Sequence, residues 1–405
     1  MNSIRFRLYS LVCGCVILAA SCTPYPIFYN IHREKAPTEA RIPGPVTSIV
    51  IGPFSSGKAM YTGSSVLYCY YGSLWMPLVK PEGKILSLAA TNEHLYMLVS
   101  TGSGSPDNFM LWRSSDPVSG QWETVYMGDA AAYTLQSIYG NEHRLFASCL
   151  LKGVTDDRGK YALFYVDSTK SSLTLLNTGT QYLTGVAADG HTAGSSCFFL
   201  ATAGTGIYRV EYQASGTPLA PGTVVSGMAA LNISGIVNLG DMVTSDNNLE
   251  NTTGSEIAAI ARDGSLYSVS ASGIDPRGSI YRLSKWSRSL GLWQDPLDSS
   301  KRYLLINLDG DYSTYGYGEI SLIFNSGQFS LGTNYVTCAK PGSGGSNPYT
   351  DSGDYDNSIG KYSINQMMQA PSAIDTRMTL FAATAQNGLW SYKLREDGWQ
   401  WNMEE

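Results

Sequence analysis

Histidines, clustered aspartates and cysteines are the residues of this chain that could do chemistry, and their spacing is the first test of each set. The histidines are His32, His94, His143 and His191. His94 and His143 both follow Asn-Glu, which places them in equivalent turns of successive structural units. A metal ion needs its ligands within a few ångströms of one another. Equivalent turns diverge outward, so these histidines read as exposed turn residues, and His32 has no partner nearby in sequence. Asp351, Asp354 and Asp356 lie in a Gly/Ser-rich stretch, 341–360. Alternating oxygen ligands of this kind can hold Ca²⁺, but the spacing misses the EF-hand pattern and no Glu closes the loop. Asp309-Gly310-Asp311 is similarly incomplete. The sequence therefore predicts solvated acidic loops, with no metal and no other cofactor. It contains no Gly-x-Ser-x-Gly, no P-loop and no dinucleotide fingerprint.

Three of the seven cysteines, Cys13, Cys15 and Cys22, fall near the start of the chain. The other four, Cys69, Cys149, Cys197 and Cys338, are widely spaced and form no Cys-x-x-Cys pair, which argues against a zinc knuckle or a redox motif. Cys149 and Cys197 sit inside apolar, strand-like runs, where a thiol acts as a small hydrophobe. Disulfides stay open if the compartment is oxidising.

The elements that must carry these residues follow from composition and repetition. Charged residues are 15% of the 405, Gly is 42 and Tyr is 27, a balance that favours short strands and tight turns over long solvated helices. The net charge of −6 gives no basic field for nucleic acid. Phe199 to Tyr208 aligns without gaps to Phe381 to Trp390: an apolar strand, a turn ending in Gly, and a second strand opening with an aliphatic-aromatic pair. Ile257 to Tyr267 repeats the plan through Asp263-Gly264, a strong hairpin dipeptide. The aromatic of that second strand recurs at Tyr68, Trp112, Tyr165, Tyr208, Tyr267 and Trp390, with room for one more unit near Glu319 to Phe324. Seven units at a mean spacing of about 54 residues suit four strands plus loops each. The expectation is an all-β β-propeller with seven four-stranded blades over 45–405. Six or eight blades are compatible with the same spacing.

Residues 1–21 read as an export signal. Arg5 and Arg7 precede the apolar run Leu11 to Ala20, which is too short for a stable membrane span. The sequence Ala19-Ala20-Ser21-Cys22 resembles the lipobox of bacterial lipoproteins. The resemblance implies a lipid on the Cys22 thiol, cleavage after Ser21 and a location in the bacterial cell envelope, on its periplasmic or outer surface. Residues 22–44, with Pro24, Pro26, Pro37 and Pro43, read as a tether.

Two further resemblances concern the body. Ser114-Ser115-Asp116, followed by Gly120-Gln121-Trp122, resembles the Asp-box hairpin of BNR and sortilin-like propellers, as does Asp397-Gly398-Trp399 with Trp401 in part. In that family the Asp accepts turn amides and the Trp packs between sheets, so Ser114, Asp116, Gly120 and Trp122 are expected to be structural. Arg41-Ile42-Pro43 resembles the motif near the start of sialidases, whose arginine trio binds the substrate carboxylate. Arg144, Arg262, Arg282 and Arg302 are the candidates for its other members. The leading expectation is a non-enzymatic module that binds a protein or glycan partner, with Tyr312, Tyr315, Tyr317, Tyr349 and Tyr355 as a partner-binding loop set. A sialidase-like or other glycan-acting hydrolase, and an envelope-assembly scaffold, are the alternatives. Three arginines converging on a central funnel would mark the hydrolase.

Overall fold

The structure, a computed structural model, describes residues 42–404 apart from 56, 72–73, 103–108, 128–131, 142–143, 154–159, 168–170, 190–196, 214–216, 244–248, 252–254, 271, 280–285, 296–297, 299, 310–316, 339–358, 360–361, 372–377 and 396–397. These residues form seven antiparallel four-stranded blades, each built from consecutive strands, the innermost first. The innermost strands are Ile49–Phe54, Lys84–Ala90, Tyr133–Gly140, Leu183–Ala188, Ile233–Asn238, Ser287–Gln294 and Ile364–Pro371. Blade 3 gains a short parallel outer strand, Tyr126–Met127. Blade 5 carries an inserted hairpin, Asp241–Val243 with Leu249–Asn251, between its first and second strands.

A blade covered on both sheet faces by its neighbours needs apolar residues at successive positions rather than at alternate ones. The second strands show this. Leu95–Ser100, Cys197–Thr202 and Ile257–Ala261 are buried at every position. Seven apolar clusters result, one at each blade-to-blade interface, the last joining blade 7 to blade 1. The repeat marked in the sequence is the third strand of each blade: Leu67–Tyr71, Phe109–Ser114, Tyr161–Asp167, Gly206–Glu211, Ser265–Ser270, Tyr317–Asn325 and Leu389–Arg395. Trp112, Tyr208, Tyr267 and Trp390 all turn toward the preceding blade. Blade 3 departs by one residue, because Phe164 faces blade 2 while Tyr165 faces blade 4.

Around the axis, polar side chains stitch each blade to the next. The Leu88 N–H donates to Ser48 Oγ at 2.7 Å, and the Ser137 hydroxyl to the Leu183 carbonyl at 3.0 Å. The Thr184 hydroxyl donates to the Ile233 carbonyl at 2.9 Å, and Ser234 pairs with Ser287 at 2.8 Å. The Ser289 hydroxyl donates to the Asn365 carbonyl at 2.7 Å, and Asn365 Nδ2 to the Val46 carbonyl at 2.7 Å. Between blades 2 and 3 the equivalent contact, Ser87 to Ile138, stretches to 3.5 Å, but there Gly140 brings the backbones together. A Cβ at Gly140 would lie 2.0 Å from the Ala90 carbonyl oxygen.

Among the described residues, no strand crosses the seam. Blade 7 is Ile364–Pro371, Met378–Thr384, Leu389–Arg395 and Gly398–Met403, all from the end of the chain. Its inner strand follows the Gly-rich stretch, whereas Asn334 to Cys338 belong to the outer strand of blade 6. Ile42, Val46, Ile49, Met60 and Trp75 pack against Phe381, Ala383 and Leu389. Packing does not act alone here. The Leu389 N–H donates to the Ile42 carbonyl at 3.3 Å, the Gly388 N–H to the Gly44 carbonyl at 2.7 Å, and the Val46 N–H to the Thr384 carbonyl at 2.9 Å. Ile42 to Gly44, which composition assigns to the tether, are thus part of the ring, and Ile42 is fully buried. Glu404 completes the seam, accepting from Trp75 Nε1 at 2.8 Å and bonding the Ser391 hydroxyl.

Candidate functional site

The inner strands enclose a central channel of about 780 Å³ lined by residues of all seven blades. Each inner strand has one edge that its own sheet leaves unpaired, so the channel wall is rich in peptide groups open to water or a ligand. Chain direction distinguishes the two mouths. Ile42 to Gly44, the connections between blades and the turns after second strands lie on one face, here the upper one. The blade 5 hairpin lies on the lower face, because it follows the end of a first strand. Val243 of that hairpin packs against the cluster of blades 7 and 1, which are not neighbours of blade 5. The hairpin therefore reaches across the lower mouth.

The charged residues lining the channel are Asp241, Asp295, Arg288 and Arg302. Arg302, 3% exposed, donates to the Leu239 carbonyl at 3.1 Å and to Gln294 Oε1 at 3.4 Å, and its guanidinium lies 4.3 Å from the centre of the Phe329 ring. Burial pulls this guanidinium down to about 10, against the opposing pull of Asp241. Gln369 and the Gln294 backbone exchange two hydrogen bonds, at 2.7 and 2.9 Å, joining blades 6 and 7.

At the upper mouth, Arg288 donates to Asp309 Oδ1 at 2.5 Å and to Asn365 Oδ1 at 2.8 Å. Beside it, Trp286 is 53% exposed. The Arg262 guanidinium carbon lies 3.7 Å from the centre of its ring. The Trp286 carbonyl accepts the Asp309 N–H at 3.1 Å, and the Arg262 carbonyl accepts the Ser287 N–H at 3.2 Å. Arg288, Asp309 and Asn365 thus meet where blades 6 and 7 come together, and the Asp309 backbone is tied to that of Trp286, whose ring faces Arg262 of blade 5. Sequence reading missed Trp286 and Arg288. The available signal was a lone Trp among Lys285, Ser287 and Arg288 immediately before an inner strand.

The structure distributes the other sequence candidates as follows. Arg144, 1% exposed, donates to the Gln213 carbonyl at 3.2 Å, away from the channel. Arg262 stacks on Trp286, and Arg302 alone of the described candidates lines the channel, so these three do not converge. Arg41 and Arg282 lie outside the described residues. Tyr317 is not a loop residue. It opens the third strand of blade 6 and is fully buried against blade 7, because its position faces the neighbouring sheet. Tyr312, Tyr315, Tyr349 and Tyr355 lie outside the described residues, as do Cys22, Ser21, His32, His143, His191, Gly310, Asp311, Asp351, Asp354 and Asp356.

Ser114 ends the third strand of blade 2 and is buried, and its Oγ accepts the Asp116 N–H at 3.2 Å. Asp116 itself is exposed and precedes a 3-10 turn, Pro117–Ser119, without a side-chain capping bond. The turn-amide role that the resemblance gives to the Asp116 side chain is thus not seen at this cap, where Ser114 accepts the N–H of Asp116 itself. Gly120 supplies the left-handed backbone at φ 71°. Trp122 donates its Nε1 to the Val79 carbonyl at 3.1 Å and packs on the interface of blades 1 and 2.

His94, partly buried in its turn, is held below its ordinary value by burial and then by Arg113. Cys69, Cys149 and Cys197 are buried and free. Burial pushes the Cys69 thiol up to about 12 and those of Cys149 and Cys197 in the same direction, which suits inert core residues. The Cys338 side chain lies outside the described residues. Among the described residues, no group of three or more His, Cys, Asp or Glu is placed to hold a metal ion, and no helix is long and apolar enough to cross a membrane.

No known protein-family profile matches the chain, and no curated protein resembles it in sequence. Solved structures resemble it in shape. A GH74 enzyme of Niastella koreensis superposes with a TM-score of 0.51 at 13% identity, over 90% of this chain and 54% of that one. The chain thus spans about half the length of that enzyme. Apo AztD of Citrobacter koseri gives 0.49 at 10% identity, over 90% and 94% of the two chains. YCF48 bound to a D1 peptide gives 0.45 at 8% identity, over 87% and 93%. The likeness to the GH74 enzyme is one of fold, and the β-propeller is the fold it shares.

Proposed function

We propose that this chain is a bacterial lipoprotein: a β-propeller held at the cell envelope by a lipid on Cys22 after cleavage behind Ser21, which binds a protein or glycan partner and catalyses no reaction. The lipobox-like Ala19 to Cys22 supports the anchor. The observation that carries the binding role is the state of the cationic groups. Arg288 is committed to Asp309 and Asn365, Arg302 to a carbonyl, a glutamine and a ring, and Arg144 to a carbonyl in another interface. A substrate carboxylate needs unoccupied, converging guanidinium groups. The channel offers instead a wall of mixed apolar and polar groups with an exposed aromatic near its mouth, the mix common at recognition surfaces.

Two measurements test this reading. Metabolic labelling with a fatty acid should mark the wild-type chain, and Cys22→Ala should lose the label and leave the membrane fraction. A labelled mutant refutes the anchor. The second reading, a glycan-acting hydrolase, draws on one feature: two carboxylates, Asp241 and Asp295, line the channel, and carboxylate pairs do the work in glycoside hydrolysis. Prolonged incubation with polysaccharides should release no reducing ends. Release that Asp295→Asn abolishes would establish the hydrolase instead.

A further inference from the structure

We infer that the upper mouth of the channel holds a carbohydrate-binding subsite, in which Trp286 is the platform for a neutral pyranose ring and Arg288, Asp309 and Asn365 meet its hydroxyls. This deepens the partner-binding reading and rests on it. A tryptophan that is 53% exposed leaves a large apolar surface in water, where indole is ordinarily mostly buried. Trp286 is nevertheless held. Arg262 covers the ring at 3.7 Å, and backbone bonds tie Trp286 to Asp309 and Arg262 to Ser287. An aromatic fixed before its ligand arrives avoids the ordering cost that otherwise weakens association.

The surroundings select the ligand's chemistry. A cationic ligand is disfavoured, because Arg262 already uses the ring's negative quadrupole and would repel a second cation across the indole. An anionic ligand finds Arg288 neutralised by Asp309 at 2.5 Å and the Arg262 guanidinium laid on the indole rather than aimed at the mouth with Arg288. What fits is a neutral molecule with one apolar C–H face for the indole and several hydroxyls for the groups beside it. Asp309 can only accept, Arg288 can only donate, and Asn365 can do both. A sugar hydroxyl both donates and accepts, so it complements this mixed set in a way that an aliphatic side chain does not. Arg288 and Asn365 also line the channel, so a saccharide that reaches them from Trp286 would have one end at the mouth.

The test is isothermal titration calorimetry of the detergent-solubilised full chain against cellohexaose, laminarihexaose, maltohexaose and chitotetraose. At least one should bind. Trp286→Ala should weaken that binding about tenfold or more, the effect of losing a stacked aromatic. Trp286→Phe, which keeps an aromatic face, should retain most of it. Both variants should melt at the wild-type temperature. Failure of all four saccharides to bind, or binding unchanged in Trp286→Ala, overturns the proposal. Binding of a proline-rich peptide that depends on Trp286, with no saccharide binding, also overturns it while leaving a partner-binding propeller in place. The anchor fails separately, through fatty-acid labelling that survives Cys22→Ala.

Discussion

Two tryptophans of this ring lie beside charged groups and do opposite things. Trp75, at the seam of blades 7 and 1, is 3% exposed, meets Phe381 edge-on at 5.7 Å and gives its Nε1 to Glu404. Trp286, at the upper mouth near blades 5 and 6, is 53% exposed and has Arg262 on its ring. At the seam, burial converts the aromatic and the carboxylate into a fastening, since a buried carboxylate is tolerable only when its oxygens are satisfied. At the mouth, a guanidinium laid on the ring face leaves apolar surface in water and so adds little to stability. Residues that close the ring should therefore be costly to change and silent in binding, and residues of the mouth the reverse.

The largest expected effect is at the seam. Deleting Asp397 to Glu405 removes the outer strand of blade 7 together with Glu404, exposing both the blade edge and the cluster of blades 7 and 1. The truncated chain should be insoluble, and a soluble product with a cooperative melt would refute closure by this seam. Next are the interblade aromatics. Phe381→Ala and Trp390→Ala should each cost about 3–5 kcal/mol in denaturant unfolding. Trp112→Ala should cost less than either, because Trp112 is only partly buried. Equal losses at all three would mean that burial does not rank the interfaces. Glu404→Ala should cost about 1–3 kcal/mol by leaving Trp75 Nε1 without its acceptor. The smallest effect belongs to the axial hydroxyls. Ser137→Ala, which loses bonds to Ser148 and Leu183, should cost about 0.5–1.5 kcal/mol.

The same contrast explains what the sequence made legible. The blades were readable because several third strands repeat an aliphatic-aromatic pair after a tight turn, and all six marked aromatics, with the room left for a seventh unit, lie in third strands. The one-residue shift at Tyr165 was not readable, since Phe164 and Tyr165 are both aromatic and only packing assigns each to a neighbour. Ile42-Pro43-Gly44 read as linker because prolines and glycines dominate there, yet its carbonyls are what the blade 7 turn requires. Tyr317 was grouped with loop tyrosines by proximity in sequence, although it opens a strand whose first four residues are all buried between neighbouring blades. The axial stitching and the Trp286 cluster were invisible because each joins residues from different blades, and neither leaves a local pattern.

Denaturant unfolding and saccharide titration, measured together on Phe381→Ala and Trp286→Ala, test the separation of closure from recognition most directly. Phe381→Ala should lose several kcal/mol of stability and, while folded, bind saccharide as the wild type does. Trp286→Ala should keep its unfolding midpoint and lose binding. A destabilised Trp286→Ala, or a Phe381→Ala of wild-type stability, would contradict the account.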